Sequence, residues 1–120
     1  MTRFTPRQLQ FPARRPIQVW MMTSTPSIAL SGMAAAQARL DSAAHNIANA
    51  QTPGFRRQTT ESQTLSGGGV STSFTREESA GADLATDLVG QHEALYAFKA
   101  NLRTLEVADD MLGTLIDAFA

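Results

Sequence analysis

The chain has 120 residues, which suits one small domain and not two. It contains no cysteine, so disulfide bridges, thiolate zinc sites, iron–sulfur clusters and cysteine nucleophiles are excluded. Its formal net charge of -1 argues against a surface that neutralises many nucleic-acid phosphates. No apolar run approaches the roughly 20 residues that cross a bilayer. We therefore expect no nucleic-acid partner and no transmembrane segment.

The two ends of the chain differ in charge. Residues 1–26 contain four arginines and no acid, whereas residues 76–120 contain nine acids and three bases. A secretory signal would need a longer apolar stretch than Ile17–Met22, which also contains Gln18. We expect residues 1–24 to be a disordered basic extension or a stretch translated from an upstream start, with an organelle transit peptide as the alternative.

A first helix is predicted from Thr25-Pro26, because threonine can cap the first amides and proline suits the first helical position. Large apolar residues recur every seven positions, with alanine three positions after each, as in an a/d stripe. Pro53-Gly54 fits a type II turn, so helix and turn together cover residues 25–57. The stripe consists of Met33, Leu40 and Ile47 with Ala36, Ala43 and Ala50.

The middle of the chain, residues 58–82, is rich in Gly, Ser and Thr and poor in large apolar residues. Val70–Phe74 alternates apolar and polar residues, as a strand would, and residues near Phe55–Thr59 could pair with it. A lone two-stranded hairpin is marginal in water. The segment is therefore predicted to be a flexible connection or a short β-ribbon, with Gly67–Gly69 acting as a linker.

A second helix is predicted over residues 83–120, where the apolar pattern is most regular. It begins either at Thr75, which has capping-box form with Glu78, or nearer Asp83, because Gly81 disfavours helix between them. Two series of period seven run along it. The first series is Leu88, Leu95, Leu102, Asp109 and Ile116, and the second is Gln91, Phe98, Leu105, Leu112 and Phe119.

These patterns predict an all-α fold, in which two long helices form an antiparallel hairpin or coiled coil around an irregular or β-ribbon middle. Two helices cannot cover an apolar stripe on every side, so we expect the chain to be marginal alone and to complete its core against other chains. The residues predicted to pack the helices and the assembly are Met33, Leu40, Ile47, Leu88, Leu95, Phe98, Leu102, Leu105, Leu112 and Ile116.

The sequence indicates no catalytic, metal or cofactor site. His92-Glu93 begins like a zinc-protease motif, but Tyr96 stands where the second histidine is needed. The Gly67–Gly69 run lacks the spacing and the Lys-Ser/Thr of a phosphate loop. His45 is spaced to interact with an aspartate one helical turn before it, yet no nucleophile stands on a strained turn. We therefore expect a non-enzymatic protein without metal or cofactor.

Two separated segments resemble the terminal motifs of bacterial flagellar rod and hook proteins. The first is SGMAAAQARLDSAAHNIANAQTPGF, from Ser31 to Phe55. The second runs from Lys99-Ala100-Asn101-Leu102 through ADDMLGTLID, which ends at Asp117. Only a short segment replaces the β-rich domain that these proteins usually carry between the motifs. The motif residues are Asn46, Asn49, Thr52, Pro53, Gly54, Phe55, Ala100, Asn101, Asp109, Met111 and Leu112.

The resemblance implies a structural subunit of the flagellar basal-body rod, contributing to flagellum assembly and motility. Such a subunit polymerises through its terminal helices with copies of itself and with other rod or hook subunits. It is exported by the flagellar type III machinery without a cleaved signal peptide and lies in the rod that spans the periplasm. The alternative is a free-standing coiled-coil adaptor, or an export-associated protein derived from the same family.

Overall fold

The computed structural model describes residues 20–120, with side chains from Thr25 onward. Helix α1 is Trp20–Ala48, strand β1 is Gln58–Thr64, strand β2 is Val70–Arg76 and helix α2 is Leu84–Phe119. At 1.5 Å per residue the helices are about 43 and 54 Å long. The expected extension over residues 1–24 lies outside the described residues, except that the α1 backbone already begins at Trp20.

The all-α expectation is wrong, because residues 58–76 form a two-stranded antiparallel sheet between the helices. Its strands pair from Gln58 opposite Arg76 to Thr64 opposite Val70. Threonine and valine, which favour strands, supply six of the fourteen strand residues. The ribbon lies along α1, and that packing supports two strands that would be marginal alone. The fold is mixed, although helices dominate it.

The glycine run is the turn of this ribbon and not a linker. Gly68 and Gly69 have φ values of 88° and 93°, a region that glycine enters without a steric penalty. The Leu65 amide donates to the Gly69 carbonyl at 3.0 Å, and the Gly68 amide donates back to the Leu65 carbonyl at 3.0 Å. A Cβ on Gly69 would lie 2.8 Å from the Ser31 hydroxyl, so the turn rests directly on α1.

The start predicted for α1, and one of the two starts predicted for α2, differ from the structure. Helix α1 continues through Pro26, so the expected cap at Thr25 is wrong; proline within a helix forfeits its own amide hydrogen bond, and the helix tolerates that loss here. Thr75 lies in β2, which excludes the capping-box start. Helix α2 is capped by Asp83, whose carboxylate accepts from the Thr86 amide at 3.0 Å and from the Thr86 hydroxyl at 2.7 Å.

The two helices run antiparallel, and two contacts set their register. Asn46 meets Asp87 near one end, and Gly32 meets Asn101 fourteen residues further along each helix. Among the described residues no large side chain is fully buried, because small side chains bring the helices close together. The buried apolar residues are Ala29, Ala35, Ala36, Ala43 and Ala94.

We call the contact surface between the two helices the seam. On α2, small and polar residues form it. Asp87 and Ala94 are buried, and Asn101 follows them at the same seven-residue spacing. Leu88, Leu95 and Leu102 each come one residue later, which turns them about 100° around the helix. They are 42, 41 and 38% exposed. The predicted leucine series therefore lies beside the seam between the helices and not in it.

The close approach at Gly32 predicts a change of sign in a double-mutant cycle. A Cβ at Gly32 would lie 2.5 Å from Asn101 Oδ1, while Asn101 Nδ2 donates to the Ala97 carbonyl at 2.8 Å. Gly32→Ala should therefore destabilise the chain, by up to about 2 kcal/mol, because overpacking outweighs the gain in helix propensity.

In an Asn101→Ala background the obstructing amide is gone, so the same Gly32→Ala change should stabilise the chain by about 1 kcal/mol. Thermal unfolding followed by circular dichroism, at one fixed protein concentration for all four variants, measures the cycle. An effect of the same sign and size in both backgrounds would show that the Gly32–Asn101 contact does not set the helix spacing.

Candidate functional site

The buried amide of Asn46 joins α1 to the start of β1. Asn46 is 2% exposed. Its Oδ1 accepts from the Gln58 amide at 2.8 Å, and its Nδ2 donates to the Gln58 carbonyl at 2.8 Å. The Ser42 hydroxyl donates to the same carbonyl at 2.7 Å. One side chain thus satisfies both backbone groups of a strand residue, as a neighbouring strand would.

Asp87 connects this group to α2. It is 5% exposed and accepts from Arg57 Nη2 at 2.6 Å, from Arg57 Nε at 3.3 Å and from Asn46 Nδ2 at 3.1 Å. Arg57 Nη1 also donates to Glu77 Oε1 at 2.9 Å. We call Asn46, Arg57, Glu77 and Asp87, with the Gln58 backbone, the polar clasp. It ties both helices to both strands of the ribbon, at the end of the ribbon opposite its turn.

Charges in the clasp compensate one another. The hydrogen bond with Asp87 is the main reason that the pKa of Arg57 is raised, and the charge of Asp87, with smaller help from Glu77 and Asp83, acts in the same direction against the effect of burial. A buried ion pair adds little net stability over apolar packing, but removing one partner leaves the other charge buried without compensation. The clasp therefore specifies one arrangement of α1, the ribbon and α2.

The hydrogen bonds from the Thr86 side chain and backbone lower the pKa of Asp83. A carboxyl whose pKa is lower in the folded state stabilises the fold above its unfolded pKa. That contribution is lost as the pH falls through the lower, folded value. The cap at the start of α2 therefore weakens on acidification below the ordinary aspartate range.

The first family motif folds into one cluster at the end of α1. Asn46 lies in the clasp, while Asn49 Nδ2 donates to the His45 carbonyl at 2.8 Å and so satisfies a helix-end acceptor. The Phe55 ring packs against the His45 ring with centroids 5.5 Å apart. Between them, exposed Thr52, Pro53 and Gly54 form the turn, in which the Phe55 amide donates to the Thr52 carbonyl at 3.2 Å.

The second motif stays spread along α2 and does not join that cluster. Asn101 faces Gly32 in the seam. Ala100, Asp109, Met111 and Leu112 are exposed among the described residues. The two motifs therefore have different structural roles. The first contributes Asn46 to the clasp and forms the turn, whereas the second contributes one residue to the seam and several residues that are exposed to solvent.

Arg57, Glu77 and Asp87 were not among the residues predicted from the sequence. Asp87 could have been found, because it shares a seven-residue series with Ala94 and Asn101, and a carboxylate on an inward series needs a partner. Arg57 and Glu77 carry no such signal, since their position depends on the ribbon pairing. Gly32, which lies opposite Asn101, leaves room for that side chain because it has no Cβ.

Most of the predicted packing residues gather on one side of the helical pair. Successive residues of α1 are turned by about 100° around the helix axis. Ser31 contacts the ribbon and Gly32 contacts α2, so Met33 lies on the flank away from the ribbon. On α2, Thr86, Gly90 and Glu93 line a groove with the ribbon, which places the leucines on the opposite flank. We call this surface the leucine face; it comprises Met33, Leu40, Ile47, Leu84, Leu88, Leu95 and Leu102.

The remaining predicted packing residues lie elsewhere on α2. Phe98 and Leu105 are half-buried, in the seam. By the observed register Trp20 stands opposite about Gly113, so Ile116 has no described α1 residue beside it. Ile116 is accordingly 68% exposed, and Leu112 is 41% exposed.

Neither described helix is long and apolar enough to cross a membrane. Over residues 25–120 no three His, Asp or Glu side chains are placed to hold a metal ion. The described residues form an elongated helical pair that the polar clasp holds together and that carries exposed apolar side chains. That combination is typical of subunits that associate through their helices.

Residues 27–56 match the family model described as flagella basal body rod protein. The match spans a quarter of the chain and includes the clasp residue Asn46, the helix-end residue Asn49 and the Pro53-Gly54 turn. It confirms the resemblance to the basal-body rod family that the sequence showed. No curated protein matches the chain.

The geometry of the clasp predicts that Asp87→Ala strongly lowers the stability of the structure around it. The substitution removes three hydrogen bonds and leaves the Arg57 charge poorly compensated, which typically costs about 3 to 5 kcal/mol for a buried pair. Hydrogen exchange should accelerate at the start of α2 and in β1 together. Asp117→Ala, an exposed aspartate on the same helix, serves as the control and should leave both segments protected. Unchanged exchange in Asp87→Ala would mean that the clasp does not hold the ribbon to α2.

Proposed function

We propose that this protein is a non-enzymatic structural subunit of the bacterial flagellar basal-body rod. In this role it polymerises through its two helices and contributes to flagellum assembly and motility. The observation that carries the proposal is the leucine face, an apolar surface on a helical pair whose first helix carries the rod-family match. Assembly would cover what the chain alone leaves in water.

The exposed apolar surface is larger than single surface leucines would give. Sixteen large apolar side chains are exposed among the described residues, from Ile28 to Phe119. Soluble monomers rarely expose contiguous apolar patches beyond a few hundred Å², and larger ones mark interaction sites. Heptad spacing along α2 arranges many of these residues in rows, which favours helical partners over small ligands.

The arrangement of polar groups also favours a structural role. The charged groups of the clasp are engaged with one another: Arg57 pairs with both Asp87 and Glu77. A catalytic centre would need such groups directed toward a substrate. Here they hold α1, the ribbon and α2 in one arrangement, which is what a subunit in a regular array requires.

The partners proposed are further copies of this chain and other rod or hook subunits, at the basal body. Export in an unfolded state by the flagellar type III machinery, without a cleaved signal peptide, belongs to the same proposal. The small core supports it, because the buried apolar residues over residues 25–120 are all alanines, which leaves little tertiary structure to undo before export.

A free-standing coiled-coil adaptor is the competing assignment. Such a protein would bury its own heptad residues. The leucines at positions 88, 95 and 102 are instead about 40% exposed, which disfavours a self-sufficient module.

Leu102→Asp should abolish assembly while leaving the helical pair folded, because the residue lies on the leucine face and 38% of it is exposed. A carboxylate at an apolar interface must be desolvated without a partner, which costs several kcal/mol per contact. Analytical ultracentrifugation of the purified chain at high concentration measures the sedimenting polymer.

The matched control is Ala34→Asp, which introduces the same charge at an exposed position of α1 away from the leucine face. This variant should assemble as the wild type does. Polymer formation by Leu102→Asp at the wild-type level would refute the assembly role of the leucine face. Leu105→Asp is not equivalent, since Leu105 lies in the seam and its replacement should loosen the helical pair itself.

A further inference from the structure

The last two turns of α2 carry an apolar stripe that no described part of the chain covers. Leu112, Leu115, Ile116 and Phe119 are 41, 40, 68 and 89% exposed. Their spacing of three and four residues places them on one side of the helix. Leu115, Ile116, Phe119 and Ala120 line an open hollow there. We call the four large residues the C-terminal stripe.

The C-terminal stripe continues the seam. Asn101 faces Gly32 in the seam, and all four members of the stripe lie within about 60° of the direction of Asn101 around α2. No charged residue of α2 after Asn101 falls within that arc, and the nearest, Asp109, lies about 80° away. The described part of α1 covers the seam only as far as Trp20, which stands opposite about Gly113. The stripe therefore lies on the side of α2 that α1 covers elsewhere.

The charges around the stripe indicate what could cover it. After Arg103, α2 carries four acids and no base, and no basic residue in its last turn offsets the negative end of the helix dipole. Residues 1–19 carry four arginines and no acid. The two ends of the chain are therefore electrostatically complementary. The α2 helix of a second copy would instead bring the same four acids, which are Glu106, Asp109, Asp110 and Asp117.

The segment that directly precedes α1 is long enough to reach the whole stripe. From Gly113 to Phe119 the distance along α2 is about 9 Å. The six residues 14–19 span about 9 Å as a helix and about 20 Å when extended, so they reach that far in either form. A tethered segment also acts at an effective concentration in the mM range, which no second chain reaches in dilute solution. The apolar residues and cations of this segment are Ile17, Val19, Arg14 and Arg15.

We propose that residues 14–19 pack on the C-terminal stripe of the same chain, with Arg14 and Arg15 placed against the acids beside it. The contact covers the apolar end of α2 and compensates its negative charge. It goes beyond the proposed function and does not depend on it, because it forms within one chain. None of its residues lies in the family match at residues 27–56. For residues 14–19 it replaces the disordered state expected from the sequence.

Thiol–disulfide equilibrium tests the contact in the full chain, which has no cysteine of its own. Ile17→Cys is combined with Ile116→Cys, because continuing the observed register places these positions opposite each other. Two control pairs combine Ile17→Cys with Thr114→Cys or with Ala118→Cys. These exposed positions lie two residues before and after Ile116 on α2 and are turned about 160° away from it. In a glutathione buffer, each protein disulfide forms as one oxidised glutathione is reduced to two thiols.

The samples are dilute and contain equal amounts of isotope-labelled and unlabelled chain, so mass spectrometry distinguishes disulfides within one chain from those between chains. The proposal predicts that the disulfide between positions 17 and 116 forms within one chain, severalfold above both control pairs. Tethering alone would favour the three pairs about equally.

Two results would overturn the proposal. Equal yields from the three cysteine pairs would show that residues 14–19 do not select the stripe side of α2. Predominant linkage between labelled and unlabelled chains would show that a second copy occupies the stripe instead.

Charge reversal tests the part that the arginines play. Arg14→Glu together with Arg15→Glu, introduced into the chain with cysteines at positions 17 and 116, should lower the disulfide yield severalfold, because glutamates then face the acids of α2. The same two-residue change at Arg3 and Arg7 is the matched control and should lower the yield less. An equal loss in both variants, or no loss in the first, would overturn the assignment of Arg14 and Arg15 to this contact.

Discussion

The thinness of the structure is the constraint on which its other features depend. Two helices and a two-stranded ribbon enclose no space that a leucine could fill, and the buried apolar residues among the described part of the chain are five alanines. Close backbone approach then replaces large side chains as the means of packing, as at Gly32 and Asn101. Leu88, Leu95 and Leu102 remain at the flank of the helical pair, where burial requires another chain.

The polar clasp compensates for this missing interior. Asn46 uses both ends of its amide on one residue of β1, and Asp87 carries the connection onward to α2 through Arg57. Hydrogen-bond geometry is directional, so the clasp selects one register for helices that alanine packing alone would allow to slide. The same contacts fix the two-stranded ribbon in place, although a free ribbon of this size would be marginal. Order in this molecule thus comes more from polar contacts than from apolar volume.

The heptad spacing indicated the two helices, but it did not indicate what each side of the helices contacts. The pattern marked Leu88, Leu95 and Leu102 as packing residues without distinguishing the seam from its flank, which differ by one residue and about 100°. The clasp depends on contacts between residues 30 and 41 positions apart, such as Arg57 or Asn46 with Asp87. No local propensity encodes such contacts. The family motif did mark Asn46, Asn49 and the turn, because the first motif is contiguous in sequence and in space.

The proposed completion of this fold by association can be tested through the concentration dependence of thermal unfolding. Association stabilises the folded state by mass action, so the unfolding temperature depends on protein concentration. We expect the midpoint, followed by circular dichroism, to rise steadily over a hundredfold increase in concentration. A sharp cooperative transition whose midpoint does not change with concentration would contradict it.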